Sequence, residues 1–400
     1  MGAAAAAAAG RSARALPAPL IWGFAVSSIG GPLALLAIEL PDAVGGRALD
    51  STGLVVAAGA ALFAAPMLIW WRFSADIASA GGLYAFTAAA LGRRVALVQG
   101  SLWVLSYLFY LAFTVTQVVY DLLPLPFPGI GPWKGVIEVA LPTALAIAVV
   151  MAERAVLWAL AAMVLAQVAG TVALGVAMLA HSPAPGGSFT IGAHPGSVAR
   201  GIADASLLFV CASLPLFLGG EVAGGGRALR RVVAGATAAV AVLLVATAFP
   251  LAHYAGTSLA SLGLPGQVVA LDTSGDTFAT WIAAGAIASV LGLVIAEFIA
   301  LTRLLHAMSG ISVRRAGIAV GAVTIVADII SLVDPETIYD RMITPSLVAL
   351  YLSQLVVFAG YGVYVRRRGG LTALDAAAVL ISCGLMLFGL EVVISQQSLV

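Results

Sequence analysis

Charged residues are scarce in this chain. Only 9% of its 400 residues are Asp, Glu, Lys or Arg, whereas 62% are hydrophobic, and the mean hydropathy is +1.09. A soluble globule of this length would need far more polar surface, so the composition indicates a protein that lies mostly in lipid. The formal net charge of +1 favours neither a nucleic-acid partner nor a polybasic anchor on a lipid surface.

Several kinds of chemistry are missing as well. There is no Asn, the single Lys is Lys134, and the two cysteines, Cys211 and Cys383, lie within apolar runs. The two cysteines lack the spacing of a disulfide framework, and the four histidines lack the spacing of metal ligands. We therefore expect no disulfide framework, no metal site and no cofactor. An enzyme would need a convergent set of His, Asp, Ser or Cys side chains, and none occurs at usable spacing. We therefore expect a protein that is not an enzyme.

Long apolar runs fill the chain from residue 20 to residue 395. A bilayer core is crossed by roughly 20 apolar residues, and cutting the runs at clusters of charge, Pro and Gly gives eleven predicted spans. They cover residues 20–40, 51–71, 95–120, 135–152, 155–180, 203–222, 232–254, 277–303, 316–333, 342–365 and 371–394. Residues 1–19 are predicted to be a disordered cytoplasmic leader, and residues 20–395 a single transmembrane domain.

The basic residues predict how these spans are oriented. With the N-terminus inside, fifteen arginines fall on the cytoplasmic side and only Arg47, Lys134, Arg200 and Arg341 face outward. This asymmetry follows the positive-inside rule, and losing one early span would destroy it. The prediction is a multi-pass protein of the cell inner membrane.

Two of the predicted spans contain helix-breaking residues at mid-membrane. The first span reads AVSSIGGPLALLAIELP, with Gly30, Gly31 and Pro32 at its middle. The sixth span reads ADASLLFVCASLPLFLGGEVAGGG, with Ser213 and Pro215 at its middle. Pro lacks an N–H and Gly eases unwinding, so backbone groups are freed at bilayer depth and must face protein, water or ligand.

The breaks recur one five-helix unit apart. Paired interrupted segments at corresponding positions of two halves are the sequence signature of an inverted-repeat transporter with its site at the midplane. A single Gly/Pro interruption would be explained more simply as a kink or a close helix contact. Two interruptions at corresponding positions of two halves favour a transporter site at the midplane. The predicted repeats are about 20–180 and 203–365, with an additional span at 371–394.

Four segments carry a resemblance to a known family. They are SSIGGP at 27–32, AGGLYAFTAAALGRRVALVQGSLWVLSY at 80–107, FLGGE at 217–221 and LTRLLHAM at 301–308. In order and spacing they resemble the amino acid-polyamine-organocation (APC) superfamily along residues 20–365. The resemblance implies an all-α, LeuT-type five-plus-five inverted repeat and a permease that works by alternating access.

The resemblance also implies a substrate site. Backbone around Ser27, Ser28, Ile29, Gly30 and Gly31 would hold a carboxylate, and carbonyls near Cys211, Ala212 and Ser213 would hold an amine. Phe217 would be an aromatic gate and Glu221 a structural or gating carboxylate on the cytoplasmic side. Tyr107 is the candidate for the pocket on the third span, because its hydroxyl needs a partner.

Two departures from the family concern coupling. Gln167 falls about where several members place a Lys in the fifth span, and Gln cannot carry a proton. The eighth span offers only Thr280 and Ser289 as hydroxyls for sodium. Glu297, deep in that span, is the candidate proton carrier, with a salt-bridge gate as an equal alternative. Asp328 is expected to form interhelical hydrogen bonds.

The function predicted from the sequence is a secondary transporter of amino acids or related small amines, either proton-coupled or exchanging. Its partners would be a small molecule, the lipid bilayer and protons, and a neutral, zwitterionic or apolar substrate is expected from the first and sixth spans. The alternatives are a LeuT-fold transporter of another solute, or a receptor-like protein or channel. A channel would normally need symmetric assembly or rings of polar groups.

Overall fold

The protein is an all-helical bundle in a computed structural model, which describes residues 15–182, 188–192, 194–254, 259 and 263–397. Fourteen α-helices occur in these residues. They are α1 (Ala18–Ser28), α2 (Pro32–Ala34), α3 (Leu40–Ala48), α4 (Thr52–Asp76), α5 (Gly82–Leu91), α6 (Arg93–Gln117), α7 (Lys134–His181), α8 (Pro195–Leu207), α9 (Gly225–Ala248), α10 (Pro265–Ser274), α11 (Asp276–Ser309), α12 (Val313–Ser331), α13 (Pro335–Arg368) and α14 (Ala373–Gln397).

Tighter and wider helical turns connect several of these helices. The 3₁₀ segments are Leu49–Ser51, Pro128–Trp133, Val210–Leu218 and Phe249–Tyr254, and the π segments are Leu35–Glu39 and Val118–Leu122. In the described residues, nine continuous helical segments are long and apolar enough to cross a membrane. The predicted multi-pass character is therefore confirmed at this level.

One of these nine segments, Pro128–His181, is 54 residues long. Its helix α7 contains a residue with non-helical dihedrals, Ala152, at φ −142° and ψ 38°. The kink lies beside Glu153 and Arg154, a charged pair within an otherwise apolar helix. A bend at this position lets the charged pair leave the apolar layer.

The outer surface of the bundle is apolar. Large hydrophobic side chains with more than half of their surface exposed occur on helices throughout the chain, among them Val98, Leu165, Trp281 and Leu380. Such a surface is stable only when lipid covers it. Helices α1 and α11 lie inside: α1 is buried from Phe24 to Ser28, and α11 from Leu293 to Leu304.

Hydrogen bonds between helices join the interior of the bundle. Gln99 of α6 donates to Ser353 of α13 at 2.8 Å, and Ser346 donates to the carbonyl of Ser106 at 2.9 Å. Polar bonds of this kind hold membrane helices together where lipid removes the hydrophobic driving force between them.

Most helix-terminal arginines lie together at one end of the bundle, which we call the arginine-rich end. It is defined by contacts that join the ends of distant helices: Arg72 with Asp375, Arg230 with Trp71, Arg314 with Met151, Arg367 with Ala90, and Arg368 with Asp76. The positive-inside rule predicts that this end is cytoplasmic.

The chain is ordered before the predicted end of the leader at residue 19. Leu16 is buried and forms a parallel bridge with Val222: its N–H donates to the carbonyl of Glu221 at 2.8 Å. Ala18 then begins α1, with Pro17 directly before it. Residues 1–14 of the predicted leader lie outside the described residues.

The last helix, α14, is fastened to the bundle by Asp375. Its carboxylate is fully buried and accepts hydrogen bonds from Arg72 at 2.6 Å, from the hydroxyl of Tyr361 at 2.7 Å and from Thr372 at 2.6 Å. The predicted additional span at 371–394 is thus an integral part of the fold, held to α4 and α13 by one acidic side chain.

We expect Asp375→Asn to lower the stability of the protein by about 1–3 kcal/mol, because the ion pair and part of the hydrogen bonding are lost at a buried position. The thermal unfolding midpoint in detergent measures the change. Asp272→Asn removes a carboxylate from an exposed position and is the matched control. Equal midpoints for the two variants would contradict the role assigned to Asp375.

Candidate functional site

The first helix is interrupted as the sequence predicted. Helix α1 ends at Ser28, and Gly30 and Gly31 then adopt positive φ angles of 99° and 72° before Pro32 opens α2. Side chains other than glycine rarely adopt this conformation, and proline at the first position of a helix needs no N–H partner. The sequence Gly-Gly-Pro therefore ends one helix and starts the next without leaving the interior.

A polar cluster surrounds this break. A Cβ built on Gly31 would lie 2.4 Å from Oε1 of Gln167 on α7 and 3.0 Å from Cβ of Ser289 on α11. Gln167 is buried and neither atom of its amide has a hydrogen-bond partner within the described residues, and the same holds for the hydroxyl of Ser27. Unpaired buried polar groups are costly, so their concentration here marks a place where a ligand or water completes the bonding.

The sixth predicted span is interrupted too. Its α-helix, α8, ends at Leu207, and the chain continues as the 3₁₀ segment Val210–Leu218, which contains Pro215. Cys211, the second residue of this segment, accepts a hydrogen bond from the hydroxyl of Tyr107 at 3.5 Å, while Ser213 accepts one from Gln354 at 3.2 Å. The structure thus joins the break to α6 and α13.

A cavity of about 1080 Å³ brings the two breaks together. Ile29 and Gly30 line it from the first break, Val210 and Cys211 from the second, and Tyr107 from α6. From this floor the cavity extends to Asp42, Ser197, Gly263 and Ile343, at the end of the bundle opposite the arginine-rich end. A small solute can therefore reach both broken helices from that side.

The wall of the cavity is acidic and aromatic. Its ionisable residues are the four carboxylates Glu39, Asp42, Asp121 and Asp204, together with Arg200 and His194, and Arg200 lies 3.8 Å from Asp204 on the same helix. The aromatic residues of the wall are Tyr107, Tyr110, Phe113, Tyr339 and Tyr351. Carboxylates and aromatic faces both attract cations, so the surface suits an amine or another positively charged group.

Glu297 lies just below the floor of the cavity. Val290 and Leu293 of α11 line the cavity, and Glu297 follows them at the helical spacing of one further turn on the same face. It is fully buried, and neither carboxylate oxygen has a hydrogen-bond partner in the described part of the chain. Among the described residues Glu297 forms no salt bridge, and Arg303 on the same helix binds Glu153 and Glu221.

Arg303 closes the arginine-rich end beneath the breaks. Its guanidinium, only 4% exposed, binds Glu153 at the kink of α7 and both carboxylate oxygens of Glu221, at 3.0 and 3.2 Å. Glu221 also provides the carbonyl that receives the N–H of Leu16. This cluster joins α11, α7, the sixth predicted span and the segment before α1.

The other predicted site residues lie next to the cavity without lining it. Ser28 donates its hydroxyl to the carbonyl of Ala25 at 2.8 Å, and Ala212 is buried. Phe217, the predicted gate, is fully buried and packs at 4.5 Å between ring centroids against Trp103. A Cβ on Gly82 of α5 would lie 2.7 Å from the Phe217 ring, so this ring is wedged below the cavity.

Sequence reasoning missed Glu153 and the acidic wall. Glu153 follows an apolar run and precedes Arg154, a spacing that indicates only a loop between spans. The four carboxylates of the wall come from four separate elements. The one sequence signal that could have grouped them is their position at predicted span ends on the same side of the membrane. Among the described residues, no group of three or more His, Cys, Asp or Glu side chains could hold a metal ion.

Gly31→Ala should destabilise the protein by about 1–3 kcal/mol, since a Cβ is strained at φ 72° and meets Gln167. Adding Gln167→Ala removes the collision with the amide but leaves the contact with Ser289 and the backbone strain, so the double variant should recover part of the loss. Thermal midpoints of the two single variants and the double variant measure this coupling. Gly129→Ala, where a Cβ meets nothing within 4 Å, is the control; strict additivity of the two changes would contradict the contact.

Comparison with known proteins finds similarity in structure alone. No protein-family model and no curated protein sequence matches the chain. A Na⁺-coupled sialic acid symporter in a substrate-bound outward-open state is 14% identical, with a TM-score of 0.56 over 96% of this chain and 91% of that one. A manganese transporter from Eremococcus coleocola is 13% identical, with a TM-score of 0.59 over 94% and 87% of the two chains.

MhsT in complex with L-phenylalanine gives a third comparison, at 17% identity and a TM-score of 0.57 over 93% of this chain and 97% of that one. All three are LeuT-fold transporters, and they transport or bind a sugar acid, a metal ion and an amino acid respectively. At such identities the likeness establishes the fold and leaves the substrate open. The chain therefore has the fold of LeuT-type membrane transporters.

Proposed function

We propose that this protein is a secondary transporter that moves amino acids or related small amines across the cytoplasmic membrane by alternating access. The observation that carries the proposal is the cavity that is lined by both broken helices and extends to residues at the end of the bundle opposite the arginine-rich end. At the other end, Arg303 and its two carboxylate partners close the path. Access from one side at a time is what alternating access requires.

In this proposal the chain has eleven spans arranged as a five-plus-five inverted repeat with one additional helix. Two features support this count: the kink at Ala152, which divides α7 into two helices, and α12, a 19-residue helix between α11 and α13. The first and sixth spans would then occupy equivalent positions in the two repeats. The structure is the state open opposite the arginine-rich end, which we infer to be the outward-facing state.

The chemistry of the cavity supports a substrate with an amino group. The carboxylates of the wall outnumber its single arginine, and tyrosines surround the floor. A carboxylate of the substrate would meet the backbone freed at Ile29 and Gly30, as expected for half-helix ends in this kind of site. A LeuT-fold transporter of a solute that is not an amino acid is the second candidate, since the neighbours in fold carry unrelated substrates.

Counterflow in proteoliposomes, with a panel of labelled amino acids and amines, tests the proposal. Leu208→Trp places a large side chain into the cavity and should reduce counterflow about tenfold or more, because overpacking the site costs over 1 kcal/mol of substrate binding. Leu165→Trp, at a position 73% exposed on the lipid-facing side of α7, is the matched control.

Counterflow of one solute, lost in Leu208→Trp and kept in Leu165→Trp, supports the proposal. If the folded protein exchanges no member of the panel, the substrate is not an amino acid or amine of this set. A second panel of sugars and metal ions would then be tried, and its failure would favour a role without transport.

Glu297 is proposed as the proton carrier of this transporter. An ionised carboxylate without a partner is expensive in this buried position, so Glu297 gains most when it binds a proton or a substrate cation. We expect Glu297→Gln to abolish uptake driven by a pH gradient while keeping counterflow at a substantial fraction of the wild-type rate. Counterflow needs no net proton movement, which makes the two assays separable.

Ser289→Ala is the control on the same helix, about two turns from Glu297. It removes the only hydroxyl that α11 offers at the first break. Persistent pH-driven uptake in Glu297→Gln would exclude Glu297 as the carrier. Loss of uptake in Ser289→Ala, together with dependence on Na⁺, would point to sodium coupling at the break.

A further inference from the structure

A second group of buried carboxylates lies outside the candidate substrate site. Glu138, in the second turn of α7, is fully buried and accepts three hydrogen bonds from hydroxyl groups. Thr116 donates to it at 3.1 Å, Tyr120 at 2.9 Å, and Ser331 of α12 donates as well. Three separate segments of the bundle therefore converge on this one carboxylate.

Asp328 lies next to this group, and its carboxylate has no hydrogen-bond partner among the described residues. It precedes Ser331 by three residues on α12, so both side chains project from the same face of the helix. Ser331 connects the two directly, since its hydroxyl contacts both Glu138 and the backbone carbonyl of Asp328, the latter at 2.8 Å. Asp328 is fully buried, and neither of its carboxylate oxygens has a hydrogen-bond partner within the described residues. The predicted interhelical hydrogen bonds of Asp328 are thus made by Ser331 instead.

No side chain in the described part of the chain neutralises this pair. Lys134 is one turn away from Glu138 on α7, but its ammonium donates to the backbone carbonyl of Tyr120 at 3.1 Å and lies 5.1 Å above the Tyr120 ring. Among the described residues, no ion pair within 4.0 Å involves Glu138 or Asp328. Two ionised carboxylates at this depth, with no positive charge between them, would be strongly destabilising.

A pocket at the end opposite the arginine-rich end reaches two of the side chains that bind Glu138. It has a volume of about 240 Å³ and is lined by Thr116 and Tyr120, two of the three hydroxyl donors of Glu138, and by the carboxylates Asp121, Glu336 and Asp340. Acidic walls raise the local concentration of cations. The hydroxyls of Thr116 and Tyr120 line the pocket and donate to Glu138. The pocket shares Asp121 and Tyr339 with the large cavity but lies on α6, α13 and the π segment Val118–Leu122.

We propose that Glu138 and Asp328 form a binding site for one monovalent cation, a proton or Na⁺, in the part of the bundle made by α6, α7 and α12. Every available ligand atom is a carboxylate, hydroxyl or carbonyl oxygen, which suits a hard cation and not a transition metal. One bound cation would supply the positive charge that no side chain among the described residues gives to these two carboxylates. The inference uses residues outside the two broken helices, so it holds whether or not the protein transports amino acids.

The surroundings of Asp328 contain few other groups that titrate. Glu138 and Lys134 lie on α7, Tyr120 and Asp121 on the π segment, and Glu336, Tyr339 and Asp340 line the pocket from α13. On α11 the side chains packed against α12 at Gly317 and Gly321 are Thr302 and Phe298, which carry no charge. A response that disappears in a variant of Asp328 can therefore be assigned to the carboxylate pair.

Thermal unfolding of the purified full-length protein in detergent tests the proposal. One series replaces choline chloride by NaCl at constant ionic strength, and a second varies the pH in choline chloride. The variants are Asp328→Asn and Glu138→Gln. Thr324→Val, which removes a buried hydroxyl one turn from Asp328 on the same helix, is the matched control.

If the cation is Na⁺, NaCl should raise the wild-type and Thr324→Val midpoints by about 2–4 °C at saturation, and leave both carboxylate variants unchanged. If it is a proton, Na⁺ has no effect. The folded protein then retains a proton that the unfolded chain releases, so the wild-type midpoint falls as the pH rises. The fall is smaller in Asp328→Asn and not absent, because Glu297 is also buried and unpaired in the described residues and still contributes.

Either pattern supports the site and identifies its cation. The same Na⁺ and pH responses in wild type and in Asp328→Asn would overturn it. Should Asp328→Asn fail to fold, Glu138→Gln carries the same comparison, and a wild-type midpoint that responds to neither Na⁺ nor pH overturns the proposal without any variant.

Discussion

The structure depends on one constraint: backbone groups that leave a helix inside a membrane must find partners within the protein. At Gly30 and Gly31 the chain leaves the helical conformation between Ser28 and Pro32, at a depth where lipid can satisfy no N–H or carbonyl. The break is tolerable because α7 and α11 surround it with Gln167 and Ser289, and because a cavity brings solvent to Ile29 and Gly30. Helices α7 and α11 thus surround the break with the protein groups that lipid cannot supply.

The same constraint explains how the carboxylates are distributed. Glu153 and Glu221 are partly exposed and bind Arg303, whereas the carboxylates of the cavity wall face an open space. Glu297 and Asp328 alone among the acidic residues discussed are fully buried with both oxygens unpaired in the described chain. A buried carboxylate that lacks a protein partner is a place where a mobile cation can bind, and these two lie in different parts of the bundle.

The sequence predicts much of this fold because its signals are local. Gly-Gly-Pro at 30–32 identified the first break and Pro215 the second, whereas Gln167 was singled out in the fifth span by the resemblance to the family. The acidic wall could not be predicted, since Glu39, Asp121 and Asp204 are far apart in the chain and meet only after packing. Phe217 lies below the cavity because its ring fills the space that Gly82 leaves, a contact that spacing does not reveal. Asp328 was expected to bond between helices, and Ser331 takes that role because its hydroxyl reaches Glu138.

In the proposed transport cycle the closed end must open again, and its contacts are of a kind that can separate. Arg303 is almost fully buried, but its partners Glu153 and Glu221 keep 27% and 32% of their side chains exposed. Such carboxylates regain water when the pair separates, so breaking these contacts costs far less than breaking a fully desolvated pair. The bridge between Leu16 and Val222 adds only backbone hydrogen bonds, which water can replace. Helices joined by contacts of this kind can separate at the arginine-rich end, while the deeply buried bonds of Gln99, Ser106 and Glu138 keep α6, α7, α12 and α13 together.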